Sequence, residues 1–365
     1  MRVNAPDLSA PRARLADWLE VQSLVSASGQ VAVSALRSQL RLAGDDRISA
    51  LEFDAASDDL GEPEITERAA DNLEERVSEE LHFRAQTVAT AYPFEIITSG
   101  DGARQRLVQK DSWNESQSGE LFYIFCLLDS AIRDGLISVD ATERALVQQI
   151  GNIFQICACI AVGGYTNAEV VSFGFPRARG TGFLPALQQA WRRYGSYKIV
   201  PQIPYGFDDK LKDGGVDIIA WRHFDDGHAA TALMFVQVAS GLDWKDKEVA
   251  ADVRAIRQWF TGERFEHFLP AICIPFPLWF DLEEPPSDET GDPLSFADGV
   301  LKRFAVREAK FGIIFDRGRI ARSCALALRA ECRPRSSIDG LDRVPEVTQW
   351  VTAVMAVLAE PRAAE

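Results

Sequence analysis

Residues 212–247, KDGGVDIIAWRHFDDGHAATALMFVQVASGLDWKDK, concentrate the side chains best suited to chemistry. Asp217 enters an apolar run directly after Gly214 and Gly215, and Gln237 lies inside a second apolar run, MFVQVAS. A carboxylate and an amide set among Val, Ile, Phe and Met are costly to bury without partners. Both are therefore expected to face a shared site at the strand ends. The HFDDGHA segment between the runs makes an antiparallel hairpin the simplest connection. Trp244, after Gly241 and beside Lys245, is placed to line a cleft, where an aromatic face can stack on an unpaired base.

A second signal is charge. Between Phe175 and Arg222 there are eight cationic side chains, among them Arg177, Arg179 and Lys212, against four aspartates, in a chain whose formal net charge is -15. A local positive stripe of this kind suits phosphate. Other chemistries lack support. The four histidines have no metal-ligand spacing, no C-x-x-C pair points to structural zinc, and neither a phosphate-binding G-x-x-x-x-G-K-[ST] loop nor a G-x-S-x-G nucleophile elbow occurs.

The elements that must position these residues follow from periodicity and punctuation. A helical stripe of Ala70, Leu73, Val77, Leu81 and Val88 starts from Thr66 as N-cap. Two further helices are expected, one from Ser118 to Gly135 and one opened by Asp140 and closed by Gly163 and Gly164. FDAASDDLGEPE and FDLEEPPSDETGDP are acidic loops. After residue 175 the helix FLPALQQAWRRYG precedes strands YKIVPQI, GGVDIIAWRHF and ATALMFVQVAS, then a helix, KDKEVAADVRAIRQWF, and a strand, AICIPF. This α-β-β-β-α-β order specifies an α/β fold with a mixed sheet.

Composition bounds the rest. The 365 residues are 47% hydrophobic and 25% charged, which excludes disordered and collagen-like classes and leaves room for about two domains. Six cysteines, mostly in apolar runs, are expected as buried thiols in a reducing compartment. With no apolar h-region near the start, and polar interruptions between Ala145 and Ala168, the expected address is the cytoplasm, without membrane contact.

The element order and the GGVDII pattern resemble the restriction-endonuclease-like superfamily, written PD-(D/E)xK. The resemblance implies an αβββαβ core over about residues 175–320, within an α/β domain at 175–365 that carries C-terminal helices, attached to a mainly helical N-terminal region at 1–174. It further implies that Asp217 and Gln237 hold Mg²⁺ or Mn²⁺ for phosphodiester hydrolysis, with DNA or RNA as partner. Ala239 stands where the family has its lysine, so Lys245 takes that role, with Lys247 close enough to substitute and Lys198 on the preceding strand a further candidate, and Gln188 or Gln189 replaces the family's helix acid. Arg177, Arg179, Lys212, Trp244 and Lys247 would bind nucleic acid. Proteins of this appearance often serve in defence against phage, as nucleases or as inactive scaffold subunits, and a partner subunit or a second copy of the chain is expected.

Overall fold

The computed structural model describes residues 1–43, 62–100, 104–114, 118–174, 177, 181–195, 197–203, 205, 214–224, 226, 231–262, 265–282, 290–291, 294–329 and 337–360. Arg179, Lys212 and most of the two acidic loops lie outside these residues.

The chain begins with β1 (Arg2–Val3), α1 (Arg12–Val25), β2 (Gln30–Ala32), α2 (Ala35–Ala43) and α3 (Glu62–Val88). The long α3 starts four residues before Thr66, which therefore lies inside its first turns. Next come β3 (Phe94–Thr98) and β4 (Gln105–Gln109), which with β2 form a small antiparallel sheet in the order β2-β4-β3. α4 (Glu120–Arg133) follows, with Ser118 Oγ accepting from the Glu120 N–H at 3.1 Å. β5 (Ile137–Ser138) then pairs with β1.

A capping box between Asp140 and Glu143 opens the helical stretch that continues as α5 (Arg144–Thr166). Gly163 and Gly164 do not stop α5; it ends at Asn167, in the left-handed region at φ 50°. The two glycines instead allow close approach. A Cβ at Gly164 would overlap the Ser323 carbonyl, and one at Gly163 would press on Ile338. α5 is the one helix among the described residues long and apolar enough to cross a membrane, and 56% of its most apolar window is buried inside the protein.

The main sheet then assembles from β6 (Glu169–Ser172), β8 (Ile218–Arg222), β9 (Ala232–Val238), β11 (Leu269–Cys273) and β12 (Ile313–Phe315). Between β6 and β8 lie α6 (Phe183–Tyr194) and β7 (Lys198–Ile199); between β9 and β11 lie α7 (Val249–Ile256) and β10 (Phe260–Thr261). α8 (Phe296–Phe311) joins β11 to β12, and α9 (Arg317–Arg329) and α10 (Val344–Ala359) complete the described chain. The sheet order is β12-β11-β9-β8-β6, with β6, β8 and β9 antiparallel and β9, β11 and β12 parallel. The fold is α/β with a mixed sheet.

The YKIVPQI segment is not a strand of this sheet, because only Lys198 and Ile199 are extended and they pair with β10. The first strand of the antiparallel meander is β6, preceded by α5, so the α-β-β-β-α-β order begins at residue 144. The division between residues 174 and 175 falls immediately after β6, which is hydrogen-bonded to β8.

Helices cover both sheet faces. Ile218, Ala220, Met234, Val236, Ala271 and Cys273 join a cluster with α4, α5, α9 and α10. Ile219, Trp221, Leu233, Phe235 and Ile272 alternate to the other face, against α6, α7 and α8. Burial of such side chains contributes about 1.5–3 kcal/mol each, which is why the period-2 alternation fixes which face each residue takes.

Candidate functional site

Asp217 sits at the entrance to β8, where the ladder is irregular. Val236 is the register partner of Ile218, yet its carbonyl accepts the Asp217 N–H at 2.9 Å. Two residues thus oppose one, the arrangement of a β-bulge, which re-aims a side chain. The Asp217 carbonyl accepts from the N–H groups of Phe173 (2.7 Å) and Gly174 (2.8 Å) and from Gln155 Nε2 (2.7 Å). Its carboxylate Oδ2 accepts from the Val238 N–H at 2.7 Å. Gly174 must lack a side chain, since a Cβ would press on Asp217 Oδ1.

Around Asp217 opens a cleft of about 1560 Å³, lined by α5, β6, α6, the ends of β8 and β9, and residues 338–343. Its charged side chains are Arg177, Arg193, Arg343, Asp217, Asp339 and Asp342, three of each sign. Arg177 donates to the Phe173 and Thr181 carbonyls and lies 4.7 Å from the Phe173 ring centroid. Arg193 pairs with Asp339 at 3.0 Å, whose other oxygen accepts from the Ser172 N–H. Arg343 is held by Glu346, which raises the guanidinium's pKa through hydrogen bonding and lowers that of the carboxyl. Gln155 and Gln189 supply neutral donors and acceptors.

The other residues marked out by the sequence lie elsewhere. Val238 lines the cleft, so alternation turns Gln237 to the opposite face, where it is 5% exposed and Nε2 donates to Asp252 Oδ2 at 2.6 Å. Gln237 Oε1 is buried and accepts no hydrogen bond among the described residues. Lys245 forms an ion pair with Asp281 and lies 5.7 Å from the Phe280 ring centroid. It belongs to a 3₁₀ turn, Leu242–Asp246, and α7 begins only at Val249. Trp244 is fully buried against Phe276 and Phe311, leaving no ring face for a base. Lys247 is half-buried, and its N–H donates to the Trp244 carbonyl. Gln189 reaches the cleft, whereas Gln188 donates to the Val200 carbonyl.

Mg²⁺ or Mn²⁺ held jointly by Asp217 and Gln237 requires the two on one face. They are on opposite faces. Among the described residues no group of three or more His, Cys, Asp or Glu side chains is gathered to hold a metal ion. The two donors do not make a common site. Sequence reasoning missed Gln155, whose only signal was a polar residue inside an apolar helix, and Asp252, which looks like an ordinary exposed acid on an amphipathic helix.

A second polar cluster is enclosed. Arg84 Nη1 donates to Asp17 at 2.6 Å and Glu20 at 2.9 Å, its Nε to Glu80 at 2.6 Å, and its Nη2 to the Ala13 carbonyl. Arg317 grips both oxygens of Asp17 at 2.7 and 2.8 Å and donates to Ser130 Oγ at 2.6 Å. Tyr92 and Tyr123 donate to Glu20, and Trp279 donates to Glu80. Burial opposes ionisation of Asp17, but Arg317 and Arg84 hold its carboxyl below the usual range. Burial prevails at Glu20, whose carboxyl is raised. No family model, curated protein or solved structure matches this chain.

Proposed function

We propose that the chain is a nuclease-like protein that binds the phosphodiester backbone of nucleic acid in the cleft at Asp217. The observation that carries this reading is the position of Asp217, at the entrance to the second strand of an α5-β6-β8-β9-α7-β11 unit with the αβββαβ order of restriction-endonuclease-like cores. The α/β topology supports that finer assignment, and Arg177 and Arg193 in the same cleft supply donors suited to phosphate. Gln237 on the far face, Lys245 on Asp281 and Ala239 in place of lysine favour binding without cleavage, and the restriction-endonuclease-like resemblance alone suggests a non-catalytic subunit in phage defence.

Metal-dependent hydrolysis of the bound strand is the second reading. It is favoured by the three donors on the Asp217 carbonyl, a rigid support of the kind that preorganised sites need. One experiment separates the two. Labelled DNA and RNA, single-stranded and duplex, are incubated with the full chain in EDTA or in millimolar Mg²⁺ or Mn²⁺. Metal-independent binding, with the logarithm of the association constant falling linearly with the logarithm of salt concentration and no cleavage, is expected. Cleavage that Asp217→Asn abolishes would establish the second reading, and no binding at low salt would overturn both.

A further inference from the structure

Arg193, which lines the cleft, also borders an aromatic surface. Arg193 lies 5.8 Å from the Trp221 ring centroid, and Tyr194, the next residue, meets the same indole edge-on. Tyr197 stacks on Tyr194 with ring centroids 6.1 Å apart and planes 9° from parallel. Tyr197 is 37% exposed, whereas Tyr194 beneath it is buried. Tyr197 also meets Phe260 and Phe265 edge to face, with ring centroids 6.5 and 6.3 Å away. The backbone at Tyr197 is in the left-handed region, φ 57°, a conformation that a bulky residue rarely adopts.

Beside it, the exposed His223 ring is 5.5 Å from Tyr194 and is fixed by Thr231 Oγ1 at 2.9 Å. On the segment that carries Tyr194 and Tyr197, Arg192 and Lys198 are exposed, while Arg193 is shared with Glu169 and Asp339. An exposed ring beside the exposed cations Arg192 and Lys198 matches a flexible strand whose bases are unpaired, because a ring face stacks on any base while the cations track phosphates. A duplex keeps its bases inside and offers such rings nothing to stack on.

We propose that Tyr197, backed by Tyr194 and flanked by His223, is a base-stacking platform for single-stranded nucleic acid leaving the cleft at Arg193. This rests on the nucleic-acid reading above and adds the form of the ligand. The test measures fluorescence anisotropy of labelled oligo(dT), and of a duplex of equal length, with the full chain at low salt. Tyr197→Gly suits the positive φ and removes the ring without strain. It should weaken oligo(dT) binding about tenfold, and His223→Ala by a smaller factor, with duplex binding changed by less than about twofold and Tyr197→Trp retaining affinity. Unchanged oligo(dT) binding in the Tyr197→Gly/His223→Ala double variant, or equal loss for duplex, would overturn the platform and leave the nucleic-acid reading standing. A wild-type chain that binds neither form would overturn that reading itself.

Discussion

The enclosed cluster of Asp17, Glu20, Glu80, Arg84 and Arg317 and the open cleft at Asp217 use the same side-chain chemistry to opposite ends. In the first, each carboxylate meets an arginine or a ring hydroxyl or indole donor, and its five members are at most 6% exposed. In the second, charges of both signs line an accessible cavity and are held by backbone groups or by neighbours at its rim. Enclosed charges with fixed partners specify one packing of the helices. Charges at a wet surface remain available to a ligand, and their loss is inexpensive to the fold.

The largest effect is expected from breaking the enclosed cluster. Arg84→Met leaves Glu80 without a cation and Glu20 with Arg317 alone, 3.6 Å away, and unfolding in urea should show a loss of about 3–5 kcal/mol. A loss below about 1 kcal/mol would mean that water reaches the cluster.

Next comes a pH dependence from its margin. Asp129 Oδ1 accepts from Arg133 at 2.7 Å, while Oδ2 is buried without a partner among the described residues. Burial pushes this carboxyl up to about 6, with Arg133 opposing. The folded state therefore holds the proton more tightly than the unfolded state. That contribution is complete below about pH 4 and disappears as pH rises through about 6, at most about 3 kcal/mol in all. Denaturant midpoints measured across this range should fall with rising pH, and Asp129→Asn should remove part of the slope. Glu20, raised in the same direction by burial, keeps the remainder.

Gly164→Ala joins the two regions in one measurement, because α5 carries Gln155 to the cleft and α9 carries Arg317 to the cluster. The added methyl has no room against the Ser323 carbonyl. A destabilisation of about 1–3 kcal/mol is expected, together with altered near-ultraviolet circular dichroism. The smallest effect belongs to the cleft. Asp217→Asn leaves an oxygen for the Val238 N–H, so stability should stay within about 1 kcal/mol of wild type. A fall comparable to that of Arg84→Met would show that Asp217 is structural rather than a ligand-facing group.

The order of helices and strands is largely visible in the residue pattern, and so is Asp217 as a polar intruder at the head of an apolar run. The first strand is not, because β6 is only four residues, EVVS, and follows directly on a long apolar helix. With β6 overlooked, the inserted α6 stands in for the helix that opens the meander. Gln237 and Asp217 look equivalent because a regular hairpin pairs them on one face. The bulge at Asp217 breaks that parity, and it arises from tertiary hydrogen bonds with Phe173, Gly174 and Gln155 that no local pattern encodes. The enclosed cluster is the least legible part. Asp17, Glu20, Glu80 and Arg84 have the spacing of solvated helix positions, and the second cation arrives from Arg317, 300 residues along the chain.

That separation has a consequence for biosynthesis. At about 5–20 residues per second, roughly 15–60 s pass between the emergence of Asp17 and that of Arg317. During this interval α1 and α3 carry three acids and one arginine toward a space that nothing yet closes. The nascent amino-terminal portion is therefore expected to wait, loosely collapsed and available to chaperones, until α9 docks and locks it. A truncation that ends before Arg317 should accumulate as a protease-sensitive species, even though every residue of α1, α3 and α4 is present.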